Sequence, residues 1–186
     1  MHENVDEGSV VTDVSSYTDP VATVEDAERD AGRLLESWWE APEKDEPLPV
    51  DPMVLARRLG IRVQVVPLPP DESGNIFMPP DSTPVISLNR GDALSRQRFT
   101  CAHEIGHYVR RGGSQLASRS FTDYRATLAG LGVNAEEIYA NQFAAALLMP
   151  AHLVARWQGE DPSGLARRFG TSPQAMQLRL RNLRLA

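Results

Sequence analysis

Apolar side chains recur with a helical period in the first segment of the chain that has a regular pattern. From Thr23 onward they stand three or four positions apart, which predicts an amphipathic helix that ends before Pro42. Thr23 and Asp26 have the spacing of a capping box at the start of this helix. Its apolar positions are Ala27, Ala31, Leu34, Leu35 and Trp38.

A second, shorter helix is marked at both ends by its sequence. Asp51 is a typical N-cap residue, Pro52 suits the first helical position, and Gly60 ends the helix. Strands are then predicted where short apolar stretches lie between turn signals. In the first of these stretches the apolar residues alternate with polar ones. There are three such stretches, at residues 61–66, 74–78 and 85–88. Beyond them the pattern predicts only helices, the longest at about 92–111 and 134–149.

These elements predict an α+β fold, in which a small three-stranded sheet packs on the helix at 92–111 and additional C-terminal helices follow. Residues 1–22 are an acidic tail with few large apolar side chains, a composition typical of disorder. Residues 23–47 hold the first helix and a linker rich in proline and acid. Residues 48–186 are predicted to be the folded domain.

Composition narrows the class of protein. The 186 residues are 41% hydrophobic and 24% charged, which is typical of one globular domain with a tail. Residues 1–50 carry fourteen acidic and three basic residues, whereas the remainder has a net charge of +5. The longest nearly apolar run, 143–151, is too short to span a bilayer, and the N-terminus does not have the pattern of a signal peptide. A single cysteine, Cys101, fits a reducing compartment, so we expect a cytoplasmic protein.

The helix predicted at 92–111 contains the motif HEIGH, from His103 to His107. Two histidines four positions apart project from one face of a helix and can hold one metal ion between them. Zinc suits this pair because it favours nitrogen and oxygen ligands in tetrahedral geometry and leaves a position for water. Glu104 lies at the edge of that face, where it could take a proton from the water. The alternative is a purely structural pair of histidines.

A third ligand has to come from elsewhere in the chain. Glu137 shares a helix face with the buried apolar stripe at 134–149, and Glu136 lies about 100° away around that helix. Asn134 and Glu137 also have the spacing of a capping box, so Glu137 could instead cap the helix. Asp123 is a fallback ligand. Asn141 could orient a ligand histidine through its ring N–H.

Three further residues are candidates for weaker roles. Tyr108 and Tyr124 could each donate a hydrogen bond to a developing oxyanion. His152 stands at a predicted helix start, where it could approach the metal or an oxyanion, or simply face solvent. Because coordinating histidines must be neutral, we also expect metal loss below about pH 6.

Two blocks of the sequence resemble the ImmA/IrrE metallo-endopeptidases, a gluzincin-like family of bacterial and phage proteins. Residues 96–108 read RQRFTCAHEIGHY, and residues 137–150 read EIYANQFAAALLMP. The resemblance covers about residues 48–186 and implies a zincin-like minimal peptidase domain. It also implies that Zn²⁺ is bound by the two motif histidines and a glutamate of the second block, with Glu104 as the catalytic base. Many members have an acid where this chain has Tyr139, and this departure favours Glu137 as the ligand.

The resemblance further implies a function for such a domain. It points to limited proteolysis of a protein partner, a helix-turn-helix transcriptional repressor, in a stress or mobile-element regulatory switch. Nothing in the composition indicates that substrate.

Two other functions are compatible with the sequence. The ion could stabilise a non-catalytic protein-binding module. Alternatively, residues 165–176 have the pattern of a helix-turn-helix, followed by Arg179, Arg181 and Arg184, as in a DNA-binding regulator. The second helix of this pair is largely apolar, so we expect it to pack in the core, without direct nucleic-acid binding and without a membrane partner.

Overall fold

Seven helices and four strands form within the described part of this computed structural model, which comprises residues 24–38, 49–77, 82–110, 121–124 and 135–185. The helices are α1 (Val24–Trp38), α2 (Pro52–Arg58), α3 (Leu94–Arg110), α4 (Ala135–Leu148), α5 (Ala151–Arg156), α6 (Pro162–Phe169) and α7 (Pro173–Asn182). The strands are β1 (Arg62–Val66), β2 (Glu72–Phe77), β3 (Val85–Asn89) and β4 (Phe121–Tyr124). None of these helices has the length and hydropathy that crossing a lipid bilayer requires. The predicted tail at 1–22, the cap residue Thr23 and the linker at 39–48 lie outside the described residues.

The strands form one sheet in the order β1-β3-β2-β4. β1 and β3 are parallel, whereas β2 is antiparallel to both β3 and β4. The predicted α+β class and the small sheet are therefore confirmed, and all three predicted strands form. The prediction that only helices follow them was wrong, because β4 joins the edge of β2 through backbone pairing.

The short helix α2 forms as its end signals predict. The Asp51 carboxylate accepts hydrogen bonds from the backbone N–H groups of Met53 and Val54, and Pro52 occupies the first turn. After the helix, Gly60 has a φ of +78°, a left-handed conformation that favours glycine. This turn leads the chain directly into β1, with the intervening Ile61 buried in the core.

Helix α3 packs on the sheet at a point where no side chain fits between them. A Cβ atom added to Gly74 of β2 would lie 2.6 Å from the Cγ2 atom of Thr100 and 2.6 Å from the carbonyl oxygen of Ser87. Both distances are shorter than any real Cβ contact, so glycine is required for this packing. The close contact fixes the height of α3 above the sheet.

Helix α4 packs between α3 and α1 and is buried almost all around. On α1, three of the predicted apolar positions are buried in the shared core, namely Ala27, Ala31 and Leu34. The Tyr139 hydroxyl of α4 donates a hydrogen bond of 2.8 Å to Oδ2 of Asp30 on α1. Burial, with Asp30 as a further cause, raises the pKa of Tyr139, so this hydroxyl keeps its proton and remains a donor.

Helices α6 and α7 form the predicted helix-turn-helix, but its arginines are not all at the surface. Arg179 is only 2% exposed. Its guanidinium pairs with the Glu28 carboxylate of α1 and donates to the Met149 carbonyl. Met176 and Leu180 of α7 are buried as well. This face of α7 thus packs in the core, as its apolar sequence predicts.

Candidate metal centre

The middle of α3 is buried without interruption from Thr100 to His107. His103 and His107 are each only 2% exposed, and their Nε2 atoms lie 2.9 Å apart. Their rings meet edge to face, with the centroids 4.6 Å apart. Because the residues are one turn apart on the same helix, both Nε2 atoms converge on one point.

The carboxylate of Glu137, on α4, faces the Nε2 atoms of both histidines. Its Oε2 atom lies 3.3 Å from Nε2 of His103, and its Oε1 atom lies 3.2 Å from Nε2 of His107. The Glu137 side chain is 42% exposed, in contrast to the two buried imidazoles. One side of the cluster therefore consists of a carboxylate that solvent can reach.

The three side chains fit a tetrahedral zinc ion. Atoms bound at about 2.0–2.2 Å from such an ion are separated from one another by about 3.3 Å. The separations of 2.9, 3.3 and 3.2 Å within the cluster are close to this value. Two imidazole nitrogens and one carboxylate oxygen are also the donor types that zinc prefers. Among the described residues, this cluster of His103, His107 and Glu137 could hold a metal ion.

Each histidine of the cluster has an oxygen atom near its other ring nitrogen. Nδ1 of His103 lies 3.1 Å from Oδ1 of Asn141, and Nδ1 of His107 lies 3.5 Å from Oε1 of Glu136. An oxygen acceptor at Nδ1 favours the tautomer with the proton there and leaves the Nε2 lone pair for a metal. From its position in the sequence, Glu136 is only an alternative to Glu137 as the third ligand. The structure places it next to the outer nitrogen of His107 instead.

The carboxylates around His107 hold a proton on this residue. Burial alone would lower the pKa of His107, but hydrogen bonds with Glu136 and Glu137 outweigh it and raise the pKa to about 9. In turn, hydrogen bonds from His103 and His107 hold the pKa of Glu137 well below its usual range. A cation that binds here would have to displace this proton.

Glu104 is fully buried beside the cluster. Its carboxylate is one of the charges that raise the pKa of His107, so it lies within electrostatic reach of the pair. Its position on α3, directly after His103, is where the motif requires a general base.

Gly106 lets the two helices that carry the cluster approach each other. A Cβ atom at this position would lie 3.1 Å from Cα of Ala140 and 3.2 Å from Cδ1 of Phe143. Both neighbours belong to α4 and lie three and six residues beyond Glu137, respectively. The crossing of α3 and α4 is therefore closest beside the ligands.

Of the remaining candidates, Tyr108 and His152 are not among the residues of the cluster. Tyr108 is half-buried on α3, and His152 is exposed on α5. Tyr124 and Asp123 belong to β4, whose side chains lie outside the described residues. Cys101 is buried, and burial raises the pKa of its thiol, so it is a neutral core residue.

Comparison with known proteins identifies the domain that carries this site. The family model for the peptidase M78 family, described as an IrrE N-terminal-like domain, matches residues 56–181. The matched range includes α3 and α4, and therefore every residue of the cluster. No curated protein matches the chain.

Proposed function

Because the chain belongs to the peptidase M78 family, we propose that it is a zinc-dependent endopeptidase that performs limited proteolysis of a protein partner. The observation that carries this proposal is the convergence of His103, His107 and Glu137 on one point, beside the buried Glu104. A zinc ion, when bound, supplies a Lewis acid that activates water and polarises a peptide carbonyl.

The protein's own residues would contribute binding and proton transfer. His103, His107 and Glu137 would hold the ion, while Asn141 and Glu136 would orient the two imidazoles through Nδ1. Glu104 would accept a proton from the attacking water and deliver it to the leaving amine. The full burial of Glu104 and its electrostatic effect on His107 support this role.

The partner is proposed from the family resemblance. We infer that it is a helix-turn-helix repressor whose cleavage switches on a stress or mobile-element programme, and that the reaction takes place in the cytoplasm. Direct DNA binding by this chain is not part of the proposal. The buried pairing of Arg179 with Glu28 and the burial of Met176 support a core role for α7.

A comparison of two proteins tests the function. Zinc-loaded wild type and Glu104→Gln are each incubated with the folded proteome of the source cell, and new N-termini are quantified by mass spectrometry. We expect a small set of new N-termini with the wild type, including one in a helix-turn-helix protein. Their rate of appearance should fall by at least about 100-fold in Glu104→Gln, because a general base contributes about 10²–10⁴ to the rate. Equal cleavage by both proteins contradicts the proposal, and so does a wild type that binds zinc and cleaves nothing.

A further inference from the structure

Helix α1 lies outside the residues matched by the family model, yet it contacts the helix that carries Glu137. The model match begins at residue 56, whereas α1 ends at Trp38. α1 packs along α4, and the most direct polar contact between them is the 2.8 Å hydrogen bond from Tyr139 to Asp30.

Tyr139 lies near the N-terminal end of α4, the end that carries Glu137. Glu136 and Glu137 lie in the first turn of this helix, and helix ends fray unless side chains hold them. Tyr139 lies two residues after Glu137. Its side chain is 1% exposed and is the first buried side chain of α4. Whatever fixes Tyr139 therefore also fixes the turn that presents Glu137.

Two further side chains, one on α3 and one on α4 itself, contact the Tyr139 ring. The guanidinium carbon of Arg110, at the end of α3, lies 5.7 Å from the ring centroid. The ring also stacks on Phe143 within α4, with centroids 6.1 Å apart. Tyr139 thus connects α4 to both α1 and α3, and its hydroxyl donates a hydrogen bond to Asp30.

We propose that Asp30 is a positioning residue of the metal centre, which acts through Tyr139 to hold Glu137 against His103 and His107. A helix from outside the matched family domain would then be part of the zinc site. The proposal rests on the zinc binding in the proposed function, but it concerns affinity and not cleavage.

A second contact of α1 provides a matched control. Glu28 pairs with Arg179 of α7, which also donates to the carbonyl of Met149, just beyond the far end of α4. Glu28→Gln should loosen α1 to a similar degree without touching the first turn of α4. It separates a general loss of stability from a specific effect on the metal centre.

The experiment measures the zinc dissociation constant by competition with a chromophoric chelator, in full-length protein that circular dichroism shows to be folded. Tyr139→Phe and Asp30→Ala should each weaken zinc binding by about tenfold, the lower end of the effect of residues that support metal ligands. Asp30→Asn should bind nearly as the wild type does, because its amide oxygen still accepts the hydrogen bond. Combining Tyr139→Phe with Asp30→Ala should add little to either change. Glu28→Gln should lower the melting temperature and leave the zinc affinity unchanged.

The cobalt-substituted proteins give an independent spectroscopic measurement. The visible absorption of bound Co²⁺ should change in Tyr139→Phe and stay unchanged in Glu28→Gln. If the wild type binds zinc and Tyr139→Phe binds it equally well, the positioning role is wrong while the proposed function stands. If Glu28→Gln weakens binding as much as Asp30→Ala, the effect is one of stability and the proposal also fails. A wild type without zinc binding overturns both.

Discussion

Oδ1 of Asn141 lies 3.1 Å from Nδ1 of His103, across the contact between α4 and α3. An oxygen acceptor at Nδ1 favours the tautomer of His103 that has its proton there, and this tautomer leaves the Nε2 lone pair for a metal ion. The two residues are 38 positions apart in sequence, and Asn141 lies one turn beyond Glu137 on the same helix. One helix therefore supplies both Glu137 of the cluster and the oxygen atom next to the outer nitrogen of His103.

Replacement of Asn141 should weaken metal binding without removing a ligand. Asn141→Leu removes the acceptor, and we expect a loss of zinc affinity of about 10–100-fold, as for other residues that orient metal ligands. Asn141→Asp keeps an oxygen acceptor and should bind within a few-fold of the wild type. Chelator competition measures both variants, with Gln142→Ala as the neighbouring control. Equal affinities of the Leu and Asp variants would show that the contact does not orient His103.

Zinc binding should release a proton at neutral pH. The pKa of His107 is raised to about 9, so most of the metal-free protein carries a proton there at about pH 7–8, and this proton must leave before zinc binds. Apparent affinity should rise with pH until about pH 9. The metal loss that the sequence predicts below about pH 6 would then be the end of a longer decline. Calorimetry in buffers of different ionisation enthalpy counts the protons, and a count of zero at pH 7.5 contradicts the assignment.

The pKa shifts of His107 and Glu137 also determine how the stability of the metal-free protein depends on pH. Because the pKa of His107 is raised on folding, its protonated form stabilises the folded state. This contribution to the free energy of unfolding is complete below about pH 6.5 and is lost as the pH rises through about 9. The lowered pKa of Glu137 means that its contribution is present above about pH 4.5 and is lost on acidification. The free energy of unfolding in the presence of a chelator should therefore be greatest between about pH 5 and 6.5 and decline toward pH 9. A flat profile from pH 6 to 9 would not agree with a proton held on His107.

The close crossing at Gly106 should be sensitive to a single methyl group. Gly106→Ala places a Cβ atom 3.1 Å from Cα of Ala140, so α3 and α4 must move apart. We expect a loss of about 1–3 kcal/mol in the free energy of unfolding, together with weaker zinc binding. Gly32→Ala on α1 is the matched control, since no atom lies within 4 Å of its added Cβ. It should gain up to about 1 kcal/mol from helix propensity. Denaturant unfolding measures both variants and should show a lower free energy of unfolding for Gly106→Ala and a higher one for Gly32→Ala.

The local elements were predictable because their signals are local. Asp51, Pro52 and Gly60 specify the ends of α2 within ten positions, and the histidine spacing places both imidazoles on one face of α3 whatever the rest of the fold does. The sequence also named Glu137 and Asn141 as candidates for this site, and the structure places both next to the histidines. The apolar stripe of α4 does not explain this placement, because Glu137 is 42% exposed and Glu136 only 20%.

Relationships between distant segments were not predictable in the same way. β4 has only four residues, which is too short for a clear alternating pattern, and it is held by backbone pairing with β2. β3 directly precedes α3 in sequence, but it lies inside the sheet between β1 and β2, an order that the sequence does not reveal. The contact of Asp30 with Tyr139 joins residues 109 positions apart, and the periodicity of apolar residues, which predicts single helices, does not predict such a contact.

The coordination of zinc itself tests the central claim most directly. X-ray absorption at the zinc edge, on wild type, Glu137→Gln and Glu136→Gln, reports the number and kind of ligand atoms. The account predicts one zinc per chain with two imidazole nitrogens and light-atom oxygen ligands in the wild type. It predicts the loss of one carboxylate oxygen in Glu137→Gln and an unchanged shell in Glu136→Gln. A sulfur ligand, fewer than two imidazoles, or a shell that responds to Glu136 and not to Glu137 would contradict it.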